Sequence, residues 1–139
     1  MMARARRAGV QPHHGPSDDE IINGAYWLAH TGRYAEALTL LATVRDAENP
    51  RALNATGFAT RKLGDVEGAL PYYRRALALE PDYVQAREYL GEAFLAKGDA
   101  ANARQQLSEI AARCGTGCVS FTNLAREITA FETRRQARG

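Results

Sequence analysis

The chain has 139 residues, 45% hydrophobic and 24% charged, which is the size of one domain and an ordinary globular balance. Three arginines in the first 16 residues and three in the last six outweigh the net charge of +2 and leave −4 for residues 17–133. A body of that sign lacks the clustered basic face of a nucleic-acid groove, and no apolar run reaches the roughly 18 residues that a membrane span needs.

The opening, MMARARRAGVQPHHGPS, is basic but has no apolar core of roughly 7–15 residues, so as written it is no secretory signal. Residues 1–16 read as a disordered basic leader. The expected location is the cytoplasm, or the periplasm if the N-terminus is truncated or misassigned. Ser17-Asp18-Asp19-Glu20 then matches a capping box and starts a first helix that runs to about His30. Ile21, Ala25, Leu28 and Ala29 recur along it at helical spacing. Thr31-Gly32 ends it, with His30 set to meet the negative end of the helix dipole. The second helix is expected over Tyr34–Asp46, with Ala37, Leu38, Leu41 and Val44 inward.

Asn49-Pro50 is a cap followed by proline at the first helical position, and opens a third helix to about Leu63. Gly64-Asp65 is a turn and a cap. The fourth helix carries Ala69, Leu70, Tyr73, Ala76 and Leu77 inward, and Pro71 inside it predicts an outer bend. Pro81 stops it, Asp82 is the expected cap of a fifth helix over Tyr83–Lys97, and Gly98-Asp99 starts a sixth to about Arg113. Cys114-Gly115-Thr116-Gly117-Cys118 interrupts the pattern. A last helix, about Val119–Arg135, has Phe121, Leu124, Ile128 and Phe131 on one stripe, the pattern of a terminal lid with a wet outer face.

Gly32, Gly64 and Gly98 each precede an alanine by five residues, at Ala37, Ala69 and Ala103, and are spaced by 32 and 34 residues. That is the period of a helix-turn-helix repeat. The unit from Pro50 to Pro81 carries Gly57, Gly64, Ala69, Tyr73, Ala76 and Pro81 in order. The next has Leu90-Gly91, Phe94, Gly98, Ala103 and Leu107, and the first has Gly24-Ala25, Leu28, Gly32, Ala37, Leu41 and Val44. Over residues 18–113 this resembles the tetratricopeptide repeat family. The run ending in CGTGC and an amphipathic helix is similar to small bacterial members with a terminal Cys-x3-Cys.

The resemblance implies an all-α, right-handed solenoid of three repeats (17–49, 50–83 and 84–113), then a Cys loop and capping helix (114–135) and a basic tail (136–139). It implies small residues at close helix crossings, where a larger side chain would cost about 1–3 kcal/mol. It also implies a concave face lined by Ile22, Tyr26 and Ala29, then Asn54, Phe58 and Arg61 with Lys62 nearby, then Glu88, Glu92 and Leu95. Arg61 could grip a carboxylate in fork geometry. The family's trade is holding a protein or peptide, and the expectation is a non-enzymatic scaffold or adaptor with no cofactor and no nucleic-acid partner.

Two other readings stay open. Cys114 and Cys118 could form a structural bridge, rest as reduced thiols, or act as a redox switch on the lid. Self-association through the edge helices is the other. A zinc site wants about four ligands, and no second Cys pair exists, so no metal is expected. No catalytic constellation is recognisable.

Overall fold

The computed structural model describes residues 15–139, so the leader, with His13 and His14, lies almost wholly outside the described residues. Among these there are seven helices and no strand: α1 (Asp18–His30), α2 (Tyr34–Leu41), α3 (Pro50–Lys62), α4 (Val66–Leu79), α5 (Val84–Ala96), α6 (Ala100–Cys114) and α7 (Val119–Arg138).

Local chemistry sets most boundaries. The Ser17 hydroxyl accepts the Glu20 amide while the Glu20 carboxylate accepts the Ser17 amide, the reciprocal box expected. Asn49 accepts the amides of Arg51 and Ala52, Asp65 that of Gly68, and Asp99 that of Asn102. The repeating turn is one device used three times. Gly32, Gly64 and Gly98 have φ of 85°, 103° and 83°, the left-handed region that favours glycine. The next residue then donates back to a carbonyl five positions earlier: Arg33 to Leu28, Asp65 to Thr60 and Asp99 to Phe94.

Three expectations are corrected. The second helix does not reach Asp46 but stops at Leu41. The amides of Arg45 and Asp46 both donate to the Asp18 carboxylate, at 2.9 and 3.0 Å, which draws the chain off the helix path. Asp82 does not cap α5, since Tyr83 is the N-cap and makes no side-chain cap bond. Asp82 instead accepts from Arg113 Nε at 2.9 Å. The last helix also runs three residues further than expected.

The hairpins α1/α2, α3/α4 and α5/α6 stack in order. The backbones of α1, α3, α5 and α7 approach one another in succession, whereas those of α2, α4 and α6 do not. The first helices therefore form the inner row and the second helices the outer one. Ala37, Ala69, Tyr73, Ala76, Ala93, Ala103, Ile110 and Leu124 are all fully buried between them. The small residues sit where the helices close up. A Cβ on Gly57 would lie 2.8 Å from the Tyr73 ring, and one on Gly91 would lie 2.6 Å from Leu124. Pro71 lies within α4 on its exposed side.

The α7 helix behaves as the first helix of a further unit. The inner-row starts, Asp18, Pro50, Val84 and Val119, are spaced by 32, 34 and 35 residues. Leu124 and Ile128 face α5 and α6, while Thr122, Arg126, Thr129 and Thr133 are exposed, which gives the stack a polar end. Cys114 and Cys118 are bridged at the α6–α7 junction. No helix of the described residues is long and apolar enough to cross a membrane.

Candidate functional site: the inner trough

Because the inner row repeats, equivalent positions line up across it. The fifth residues of α1, α3, α5 and α7 are Ile22, Asn54, Glu88 and Asn123. The ninth are Tyr26, Phe58, Glu92 and Glu127, and the twelfth are Ala29, Arg61, Leu95 and Ala130. The residues expected on the concave face thus lie in three rows along one surface, and α7 extends each row by one.

They differ in depth. Ile22, Ala29 and Asn54 are buried at 0%, 2% and 0% exposure, so they form the floor beneath the surface. Phe58 and Leu95 are buried, Tyr26, Arg61 and Glu92 half-buried, and Lys62 exposed.

The α1/α3 half is aromatic. His30 lies 5.9 Å from the Tyr26 ring and 5.1 Å from that of Phe58, and Phe58 lies 4.8 Å from Tyr89. Cations cover these rings. Arg51 sits over Tyr26, and Arg61 and Lys62 each sit 5.6 Å from the Phe58 centroid. His30 therefore ends α1 as expected, but its ring joins the aromatic row, and the Thr31 hydroxyl bonds the Trp27 and Leu28 carbonyls.

Asn54 of α3 ties the middle of α1 to the start of α5 beneath this layer. Its amide nitrogen lies 3.0 Å from the Tyr26 hydroxyl, 3.3 Å from that of Tyr83 and 3.2 Å from Gln85 Oε1. The Tyr26 hydroxyl donates to the same Gln85 oxygen at 3.2 Å. Asn54 Oδ1 has no hydrogen-bond partner among the described residues. Burial and the adjacent Tyr83 push the Tyr26 phenol well above its ordinary value, so it stays neutral.

The α5/α7 half is acidic and largely closed on itself. Glu88, 6% exposed, accepts from Asn123 Nδ2 at 3.1 Å. Burial raises its pKa against the bonds from Asn123 and Ser120. Arg61 Nη2 donates to Glu92 Oε1 at 3.0 Å, with the two side chains only 10% and 20% exposed. Burial nevertheless raises the Glu92 carboxyl to about 7, helped by Glu88 and Glu127 and opposed by Arg61.

Where the halves meet there is a notch of about 280 Å³. It is lined by Arg61 and Lys62 of α3, Glu92, Leu95 and Ala96 of α5, and Glu127 and Arg134 of α7. Sequence reasoning put Arg61, Lys62, Glu92 and Leu95 on this face and missed Ala96, Tyr83, Gln85, Asn123, Glu127 and Arg134. The start of α7, 35 residues after that of α5, was the available signal for the last three. Among the described residues no group of three His, Cys, Asp or Glu could hold a metal ion.

Residues 59–117 match the family model for the tetratricopeptide repeat. The chain is 36% identical over 115 residues to the probable biofilm formation methyltransferase WspC of Pseudomonas putida, covering 81% of this chain and 26% of that protein. It therefore spans about a quarter of the length of that curated relative. Among solved structures it is similar to the first TPR domain of human RPAP3, with TM-score 0.72, 19% identity, and 86% and 95% of the two chains covered. It is also similar to the Yersinia enterocolitica type III secretion chaperone SycD in complex with a peptide of the translocator YopD. There the TM-score is 0.68 and the identity 17%, with 91% and 100% covered. With its left-handed glycine turns, its stacked hairpins and its inner row of first helices, the chain has the tetratricopeptide repeat fold, and its residues 59–117 carry that family's sequence pattern.

Proposed function

We propose that this protein is a non-enzymatic binding module that holds an extended segment of a partner protein in its inner trough. The observation that carries the reading is the trough itself: three aligned rows of side chains, with cations over aromatic rings in one half and a notch at the middle. Flat aromatic and long cationic side chains supply much contact area and adapt to a chain laid across them. A peptide-bound neighbour, SycD with its YopD peptide, supports the same use of the fold. The named activity of the methyltransferase relative belongs to a protein about four times as long as the shared part, and is not carried over. A second copy of this chain is the competing occupant.

Affinity capture with the folded protein tests the reading. Wild type is compared with Lys62→Glu in the trough and Arg74→Glu on the exposed side of α4, and circular dichroism checks each fold. A specific partner is expected to be retained by Arg74→Glu and lost by Lys62→Glu. The reverse pattern places binding on the outer face and ends the proposal. Light scattering across concentration reads self-association directly.

A further inference from the structure

The notch joins the two halves of the trough, and its charge is unevenly settled. Three cations, Arg61, Lys62 and Arg134, face two carboxylates, Glu92 and Glu127. Arg61 is held by Glu92, but neither Lys62 nor Arg134 forms an ion pair among the described residues. Beside this surplus lie Leu95 and Ala96, an apolar strip at the end of α5. The Arg61 guanidinium also touches the Tyr73 hydroxyl at 3.5 Å and stacks over Phe58, so its head is fixed in place from two sides. A fixed guanidinium holding one carboxylate, with Lys62 and Arg134 outside any ion pair and only Glu127 to set against them, is suited to exchange that carboxylate for another.

We propose, resting on the trough reading above, that the notch takes an acidic side chain of the partner segment, whose carboxylate replaces that of Glu92 on Arg61 while a neighbouring apolar side chain lies on Leu95 and Ala96. Glu92 is then an internal stand-in that occupies the site until the partner arrives. Charge complementarity selects the occupant, since an added carboxylate balances the one-charge surplus of a notch in which Lys62 and Arg134 form no ion pair among the described residues. The notch lies between α3 and α7, across the line of the trough, so an internal side chain entering from a passing strand is the source rather than a chain end.

The displaced carboxyl has a predictable fate. Glu92 is faced by Arg61 and Lys62 from α3, Tyr73 from α4, Glu88 and Tyr89 on α5, and Glu127 and Arg134 from α7. Without the Arg61 bond it is a buried acid beside two others. Its pKa is already raised to about 7 with that bond in place. Loss of the bond raises it further, so binding near neutrality takes up a proton at Glu92. Affinity for the acidic segment therefore rises as pH falls.

Defined peptides read this on the intact protein. The probes are Ala-Leu-Glu-Leu-Ala with both ends capped, the same peptide with Gln for Glu, and the Gln peptide with a free terminal carboxylate. Each is titrated into ¹⁵N-labelled protein at pH 6 and pH 8. The Glu peptide is expected to bind at least about threefold tighter than its Gln partner at pH 6, a modest gain for an exchanged ion pair, and to shift the Lys62, Leu95 and Ala96 amides. Its affinity should weaken toward pH 8, by at most about tenfold per pH unit for one proton. In Glu92→Gln that pH dependence should vanish. Equal binding of the capped Glu and Gln peptides, with shifts elsewhere along the trough, overturns the notch proposal and leaves the trough reading intact. Preference for the free terminal carboxylate overturns the internal side chain as occupant. Absence of any notch shift with all three peptides also overturns the proposal, and the capture experiment then judges the trough separately.

Discussion

The two halves of the trough present equivalent helix positions with opposite chemistry. Ninth-position Tyr26 and Phe58 give α1 and α3 an aromatic surface, over which Arg51, Arg61 and Lys62 lie. Glu92 and Glu127 stand at the same position of α5 and α7. The aromatic half keeps Lys62 and His30 in solvent, whereas the acidic half spends Glu88 on Asn123 and Glu92 on Arg61. One backbone template therefore yields an open half and a half sealed by its own last helix. The seal is local packing as much as charge, because Gly91 lets Leu124 approach α5 more closely than any side chain at that position would allow.

The most direct way to break this contrast is to remove the packing anchor. Leu124 is fully buried, and Leu124→Ala should cost about 2–5 kcal/mol, the range for emptying a core leucine site. Urea denaturation measures the loss. Amide exchange should show α5 and α7 opening before α1 and α3, and an unchanged denaturation midpoint would reduce α7 to an appendage.

The next effect is a pH dependence placed in the sealed half alone. Glu92 has a folded pKa near 7 against an ordinary value of 4.5. The folded state therefore binds more protons between those limits, and stability falls as pH rises through that window. The contribution is complete below about pH 4.5 and gone above about pH 7, a swing on the order of 3 kcal/mol. Denaturation at pH 5 and pH 8 measures it, and Glu92→Gln should remove most of the difference, leaving a smaller slope of the same sign from Glu88, which burial also raises. A slope undiminished in Glu92→Gln would move the titration to another group.

Asn54 tests how far the open half is held from below. Its carboxamide joins Tyr26 of α1 to Tyr83 and Gln85 at the start of α5. Asn54→Ala removes the shared donor from part-buried oxygens and should cost about 1–3 kcal/mol. A thermal melt reads the cost. Little change would mean that the hydroxyls of Tyr26 and Tyr83, 3.2 Å apart, suffice on their own.

These residues also show what the sequence exposes and what it conceals. The turn glycines were legible because they recur at a near-constant period, each five residues before an alanine, and all three adopt the left-handed backbone that favours glycine. The caps at Ser17, Asn49, Asp65 and Asp99 were legible because each acts within three residues. The end of α2 was not, since it depends on Asp18, 27 and 28 residues earlier in the chain than the amides it binds. Asp82 had the composition of a cap but was claimed by Arg113, 31 residues away. At the candidate site the lining positions came from the family resemblance, carried over residue by residue, while their depth did not. Ile22, Ala29 and Asn54 follow the same spacing as Tyr26 and Arg61, and only packing decides which of them reach the surface.

The smallest effect separates the covalent clasp from the packing that it accompanies. The Cys114–Cys118 bridge closes a loop with a sequence separation of four. A loop that short restricts the unfolded chain little, and the entropic estimate is about 2 kcal/mol or less. The clasp also acts at the far end of α7 from the notch: Glu127 lies nine residues beyond Cys118, about 13 Å along the helix. Reduction, or Cys114→Ser with Cys118→Ser, should therefore lower the denaturation midpoint less than Leu124→Ala does and leave peptide shifts at Lys62 and Leu95 nearly unchanged. A loss of those shifts on reduction would make the bridge the controlling element of the sealed half. In that case the orientation of α7 would depend on its N-terminal tether more than on the Leu124 contact with α5.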